Sequence, residues 1–296
     1  MPPTRIAVQT QRVKQALAAS PTKVACSSDQ ARRERHPFDD QSTVAVPIFC
    51  SVPYNPRYAS EREREVPLEN KELRSREFRS HICWRWSGAE GDARSCLIAL
   101  HGLGQNGSSI LQKLNPLQGC GIHLVAPDGP HRHEVRSPDG IREGHAWYIY
   151  TGDQQQFLAS LLESEKDLLG IVKTVQQESG VKPEKTVLLG FSQGGYLAGF
   201  VACRHPELFG SCVISSARLK HEFLTDEIEQ GDLPRMLFLH DKADPLTGPE
   251  PVLQSVDHLE KASAPVEICW HQDGHRLGDG AISSLQDWLQ KNRLID

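Results

Sequence analysis

The stretch Val187-Leu188-Leu189-Gly190-Phe191-Ser192-Gln193-Gly194-Gly195-Tyr196 decides the fold. It reads as a near-continuous apolar strand, then Gly-x-Ser-x-Gly, then the start of a helix running from Gln193 to Arg204. Three fixed residues alone recur by chance roughly once in ten chains of this composition, so the flanking strand and helix carry the signal. A serine on such a strand-to-helix turn presents its hydroxyl on a strained backbone. Glycines two residues to either side let neighbouring main chain approach where a Cβ would clash. The N-terminus of the following helix offers unpaired N–H groups to that hydroxyl.

A serine hydroxyl is a poor nucleophile at neutral pH and needs a base, which in turn needs an orienting acid. On a sheet with this elbow the chain order is Ser, acid, His, with the acid after a late strand and the histidine after the last. Met236 to His240 is followed by Asp241-Lys242-Ala243-Asp244-Pro245, and Val266 to Trp270 by His271-Gln272-Asp273-Gly274-His275. Asp244 is preferred to Asp241 because it lies deeper in its loop, before a proline that favours extended backbone. His275, in a Gly-flanked turn ahead of the final helix, is preferred to His271, which still follows the direction of its strand. The expected triad is therefore Ser192, Asp244 and His275.

Acyl transfer also requires N–H donors aimed at a developing oxyanion. The strand from Cys96 runs into His101-Gly102-Leu103-Gly104-Gln105-Asn106-Gly107, at the sheet end where catalytic loops gather. The backbone N–H groups of Leu103 and Gln193 are the expected donors. Gly102, Gly104 and Gly107 also match the spacing of a dinucleotide-binding turn. The ribose-binding acid could then only be Asp128, which comes late and in a Pro-Asp-Gly-Pro turn, and no phosphate-loop lysine follows. No cofactor is expected. His131, His133 and His145 fall in a polar loop after Pro130 with no partner cluster, so no metal is expected there either. His101 and His240 end strands and are expected to pin loops by hydrogen bonding.

Outward from these loops, short apolar runs alternate with helical patterns from about residue 76, the rhythm of an α/β, mostly parallel sheet with helices on both faces. Strands are expected over Phe78 to Trp86, Cys96 to His101, Ile122 to Ala126, Thr186 to Phe191, Ser211 to Ser215, Met236 to His240 and Val266 to Trp270. Leu158, Leu161, Leu162, Leu168, Leu169, Val172 and Val175 mark an amphipathic helix ended by Gly180. Further helices are expected near 252–262 and 281–291.

Residues 1–75 differ: eight prolines, charge clusters such as Arg32-Arg33-Glu34-Arg35 and no sustained periodicity predict a poorly ordered N-terminal extension ahead of a domain over 76–296. Its first 28 residues carry Arg5, Arg12, Lys14 and Lys23 and no acid, a bias shared by organelle transit peptides. A flexible extension is preferred, because neither an amphipathic stripe nor a cleavage signal accompanies the charges. The apolar segment from Val44 to Phe49 is a candidate for docking on the domain. Eight cysteines are scattered singly with no Cys-x-x-Cys pair, which predicts reduced thiols and a cytoplasmic setting. No apolar run approaches 18 residues, the length a membrane-spanning helix needs. With 33 Lys and Arg against 38 Asp and Glu the net charge is −5, which argues against a nucleic-acid partner.

These pieces together resemble the acyl-protein thioesterase and phospholipase/carboxylesterase branch of the α/β-hydrolase superfamily. Leu100 to Gly104 is similar to its oxyanion loop, Gly190 to Gly195 to its elbow, Leu239 to Pro245 to its acid loop and Gly274-His275 to its histidine turn, in the family's order. The resemblance implies an α/β-hydrolase fold and a carboxylesterase acting on a small-molecule or lipid-like acyl ester, with acyl-protein thioesterase, lysophospholipase or a non-catalytic binding module as alternatives. It also implies substrate contacts from Trp147 and Tyr148, whose segment resembles the family's Trp-aromatic-Asp stretch near the acyl groove. Three departures stand out. Gln105 replaces the usual aspartate after the oxyanion glycine, Asp241 a usual glycine, and Ile149 the aspartate of the aromatic segment.

Overall fold

The computed structural model describes residues 81–87 and 93–296, all within a unit spanning Arg79–Asp296. The expected extension over residues 1–75, with Val44 to Phe49, lies outside the described residues, as does the start of the first expected strand, residues 78–80.

Among the described residues nine strands are formed: β1 Trp84–Ser87, β2 Ser95–Leu100, β3 Ile122–Pro127, β4 His131–Ser137, β5 Gly140–Ala146, β6 Thr186–Phe191, β7 Ser211–Ser215, β8 Arg235–Asp241 and β9 Val266–His271. Six described helices of more than one turn connect them: α1 Gly107–Lys113, α2 Gln154–Ser179, α3 Gln193–Arg204, α4 Thr225–Gln230, α5 Pro249–Lys261 and α6 Asp279–Lys291. Seven strands make one sheet in the order β1-β3-β2-β6-β7-β8-β9, parallel throughout except for the edge strand β1. This is the α/β-hydrolase arrangement that the elbow predicts.

Every residue of β2, β3, β6 and β7 is buried, as continuous apolar strands are when helices cover both faces. Alternation along β6 divides the core. Leu188 packs with Val172, Leu197 and Val252 of α2, α3 and α5, whereas Val187 and Leu189 pack with Ile110 of α1 and Leu285 and Leu289 of α6. The long α2 starts at Asp153, whose carboxylate accepts the N–H groups of Gln155 and Gln156 at 2.8 and 3.0 Å, and stops at Gly180 with φ 68°. Among the described residues no helix is long and apolar enough to cross a membrane. Cys83, Cys96, Cys120, Cys203, Cys212 and Cys269 are free thiols, and burial pushes Cys96 up to about 12.

The sheet corrects the sequence reading in three places. Of the strand expected over Phe78 to Trp86, only Trp84–Ser87 pairs among the described residues. The segment read as a polar loop is the antiparallel hairpin β4–β5, registered from His131↔Ala146 to Ser137↔Gly140. Its partly exposed, charged strands lack the apolar alternation by which strands are recognised. Two short helices were also unforeseen. The capping box that starts α1, with Ser109 N–H on Asn106 Oδ1 at 2.9 Å and Asn106 N–H on Ser109 Oγ at 3.1 Å, sits inside what reads as a glycine-rich loop.

Candidate active site

The strand-to-helix elbow at Ser192 follows from close approach of backbone. Ser192 occupies φ 52° and ψ −117°, a region that L-residues rarely adopt, between the last residue of β6 and the first of α3. Its N–H donates to Ser215 O at 2.8 Å, and its carbonyl accepts the Gly195 and Tyr196 N–H groups at 2.8 and 3.2 Å. A Cβ at Gly190 would stand 2.1 Å from Gly194 O, and one at Gly194 2.3 Å from Leu100 O. Only glycine lets the helix start against the two strands.

Three loops at the C-terminal sheet edge converge there. His275 Nε2 lies 2.9 Å from Ser192 Oγ and its Nδ1 2.8 Å from Asp244 Oδ2. Asp244 is fully shielded at its side chain, and its Oδ1 accepts the N–H groups of Leu246 and Thr247 at 2.8 and 3.1 Å. With Nδ1–H donating to this carboxylate, Nε2 is left to accept the serine O–H. The two rejected candidates have other tasks. Asp241 accepts Ala243 N–H and Gly274 N–H, and the buried His271 takes the Asp273 N–H on Nδ1.

The two amides expected at the oxyanion, Leu103 N–H and Gln193 N–H, have no hydrogen-bond acceptor among the described residues, and Leu103 itself is 62% exposed at the loop tip. The loop is fixed on both sides of that tip. Gln105 accepts the Gly102 N–H on Oε1 at 3.1 Å, while its own N–H donates to Gly102 O at 3.1 Å. Gly104 N–H donates to His145 O and His145 N–H to Gln105 O, both at 2.9 Å, which stitches the loop to β5. Arg142 of β5 donates to Gly104 O at 2.6 Å.

His101 and His240 pin loops as their strand-end positions predict. The Gly129 N–H donates to His101 Nε2 at 3.0 Å, which leaves Nδ1–H to donate to Gly102 O at 2.8 Å and fixes the neutral tautomer. Burial lowers this imidazole to about 4. His240 Nε2–H donates to Thr247 O at 2.8 Å. Asp128, the one acid a dinucleotide turn would have needed, is occupied by Gly107 N–H at 2.7 Å and Arg85 at 2.8 Å.

Trp147 and Tyr148, the expected substrate contacts, are 1% and 6% exposed, and their side chains pack in the core. Their backbone serves the elbow. The Gln193 side-chain amide accepts Trp147 N–H at 2.9 Å and donates to Tyr148 O at 3.0 Å, and Trp147 Nε1–H donates to His101 O at 2.8 Å. The exposed side chains of this segment are Ile149 and Tyr150. No spacing signalled the Gln193 clamp, because its partners are main-chain atoms of a distant strand end.

Comparison with known proteins sets this geometry in a family. The pattern of the phospholipase/carboxylesterase family matches residues 87–292. The chain belongs to that family. Among curated relatives of this phospholipase/carboxylesterase chain, acyl-protein thioesterase 1 of Saccharomyces cerevisiae is 33% identical over 135 residues, 42% of this chain and 58% of the yeast protein. The match therefore spans little more than half of that relative. Similar solved structures include esterase PE8, with TM-score 0.61, 19% identity and coverage of 72% of this chain and 99% of that one. Zea mays acyl-protein thioesterase 2 is similar at TM-score 0.57 and 20% identity, covering 71% and 98%. Likenesses at this identity speak to the shared fold.

Proposed function

We propose that this phospholipase/carboxylesterase-family chain is a serine esterase that hydrolyses carboxylic esters through an acyl-serine intermediate. The observation that carries the reading is the continuous chain from Ser192 Oγ to His275 Nε2 and from His275 Nδ1 to Asp244, beside two backbone amides with no acceptor among the described residues. His275 Nε2 takes the proton as Ser192 Oγ bonds to the substrate carbonyl carbon. The amides of Leu103 and Gln193 hold the oxyanion. The alcohol leaves with the proton from His275, and a water molecule, deprotonated by the same imidazole, releases the acid and regenerates the serine. Asp244 keeps Nδ1–H in place and balances the imidazolium. Each oxyanion donor of this kind contributes about 3–4 kcal/mol to the barrier reduction. No step draws on a cofactor.

Substrate range belongs to the same proposal. The exposed Leu103, Ile149, Tyr150 and Leu246 stand on loops of the catalytic edge and suit an apolar acyl or alcohol group at the surface. A p-nitrophenyl ester series from acetate to palmitate, run beside palmitoyl thioesters, tests the reading. Highest kcat/KM on short-chain esters, lost in Ser192→Ala, is the expected result. Preference for palmitoyl thioesters would move the substrate to the acyl-protein thioesterase alternative. Folded protein that turns over none of them would favour a binding module.

A further inference from the structure

Asp241 closes β8, and its partner in the parallel register is His271, the last residue of β9. It therefore stands between the roots of the loop that carries Asp244 and the turn that carries His275. Its carboxylate is used on both sides. Oδ1 accepts the Ala243 N–H of its own loop at 2.8 Å, and Oδ2 accepts the Gly274 N–H at 2.6 Å. With the residue only 6% exposed, these two N–H donors hold the carboxyl below the usual carboxylate range, so the group is ionised at neutral pH.

The Gly274 amide is the point where such a contact matters most. Gly274 has φ 62°, with nothing within 4 Å of the position of a Cβ, and Arg276 N–H returns to Gly274 O at 2.9 Å. His275 is thus the middle residue of a three-residue turn whose first residue has no side chain to anchor it. Other contacts lie nearby: the Phe191 ring stands 5.5 Å from the His275 ring, Asp273 accepts the Ala281 N–H of α6 and donates its own N–H to His271 Nδ1, and Lys242 lies over the Trp270 ring of β9 at 5.0 Å; none of them engages the Gly274 amide. We infer that Asp241 is a positioning residue for catalysis: its carboxylate brackets the acid loop to the histidine turn and thereby fixes the His275 imidazole between Asp244 and Ser192.

The inference rests on the serine-esterase reading, and the test separates the two. Wild type, Ser192→Ala, Asp241→Asn and Asp241→Gly are compared on a p-nitrophenyl ester that wild type turns over, together with the far-downfield NMR resonance of the His275 Nδ1 proton. In the isosteric Asp241→Asn an amide NH2 must face one of the two N–H donors. The expected result is kcat lowered by about 10- to 100-fold with KM within about twofold, because misplacement of a catalytic group by about 1 Å carries penalties of that order. The Nδ1 proton signal should broaden in the same variant, and Asp241→Gly should be at least as impaired. Hydrogen exchange in wild type, read independently of how any variant folds, should show the Gly274 amide protected. Variants with wild-type kcat and an unchanged Nδ1 signal, or a Gly274 amide exchanging as freely as an exposed loop, would overturn the inference and leave the esterase reading standing. Wild type with no Ser192-dependent turnover would overturn both.

Discussion

At Ser192 the backbone is held in a conformation that costs about 1–3 kcal/mol. Gly190 and Gly194 are needed to make that conformation possible at all. Replacing Ser192 by glycine relieves the strain against about 0.5–1 kcal/mol for the extra freedom of the unfolded chain. Ser192→Gly is expected to resist urea better by about 1 kcal/mol while losing turnover; a less stable variant would show that the elbow is unstrained. At Asp244 the orientation is set by Leu246 and Thr247, whose N–H groups claim one oxygen. In Asp244→Asn the amide oxygen must face those donors, so its NH2 faces His275 Nδ1 and favours the tautomer with the proton on Nε2. A loss of roughly 10⁴ in kcat is expected, measurable on any ester that wild type hydrolyses. The order Ser192, Asp244, His275 was legible because each follows a readable apolar strand. The roles of Asp241 and the Gln193 side chain were not, since both act on main-chain atoms of loops whose proximity only the folded sheet creates.

The elbow element, β6 running into α3, depends on contacts between main chains. Alanine at Gly194 would bring a methyl group to 2.3 Å from Leu100 O, and no side chain there can give way. Gly194→Ala is expected to cost about 3 kcal/mol or more, read as a lowered urea midpoint with an unchanged m-value. A midpoint equal to wild type would contradict the packing described. β6, α3 and the buried β7 were readable because apolar strands and 3.6-residue periodicity leave little ambiguity. The β4–β5 hairpin was not. Its residues are charged, its stability comes from pairing with itself, and its tie to the oxyanion loop runs through Gly104, Gln105 and His145 backbone atoms.

Across the molecule, buried histidines and paired carboxylates make stability depend on pH in one direction. His101 is lowered by burial from 6.5 to about 4, and His123, His221 and His240 are lowered from the same cause. The unfolded chain takes up these protons first as pH falls below about 6.5. The contribution of His101 is therefore complete above that pH and is lost towards pH 4, about 3 kcal/mol in all. Glu165, held down by its bonds to His205 and Arg204 against the opposing effect of burial, adds stability above its unfolded value and loses it on further acidification. Urea midpoints are expected to fall steadily from pH 7 to pH 5. Equal midpoints would mean that His101 is not sealed in its loop.

The claim on which the rest stands is that Ser192 is a nucleophile activated by His275. Wild type and His275→Ala are incubated with a fluorophosphonate and the adduct is located by peptide mass spectrometry. The account predicts a single adduct on Ser192 in wild type that is lost in His275→Ala. Folded wild-type protein with no adduct, or with equal labelling in the variant, would contradict it.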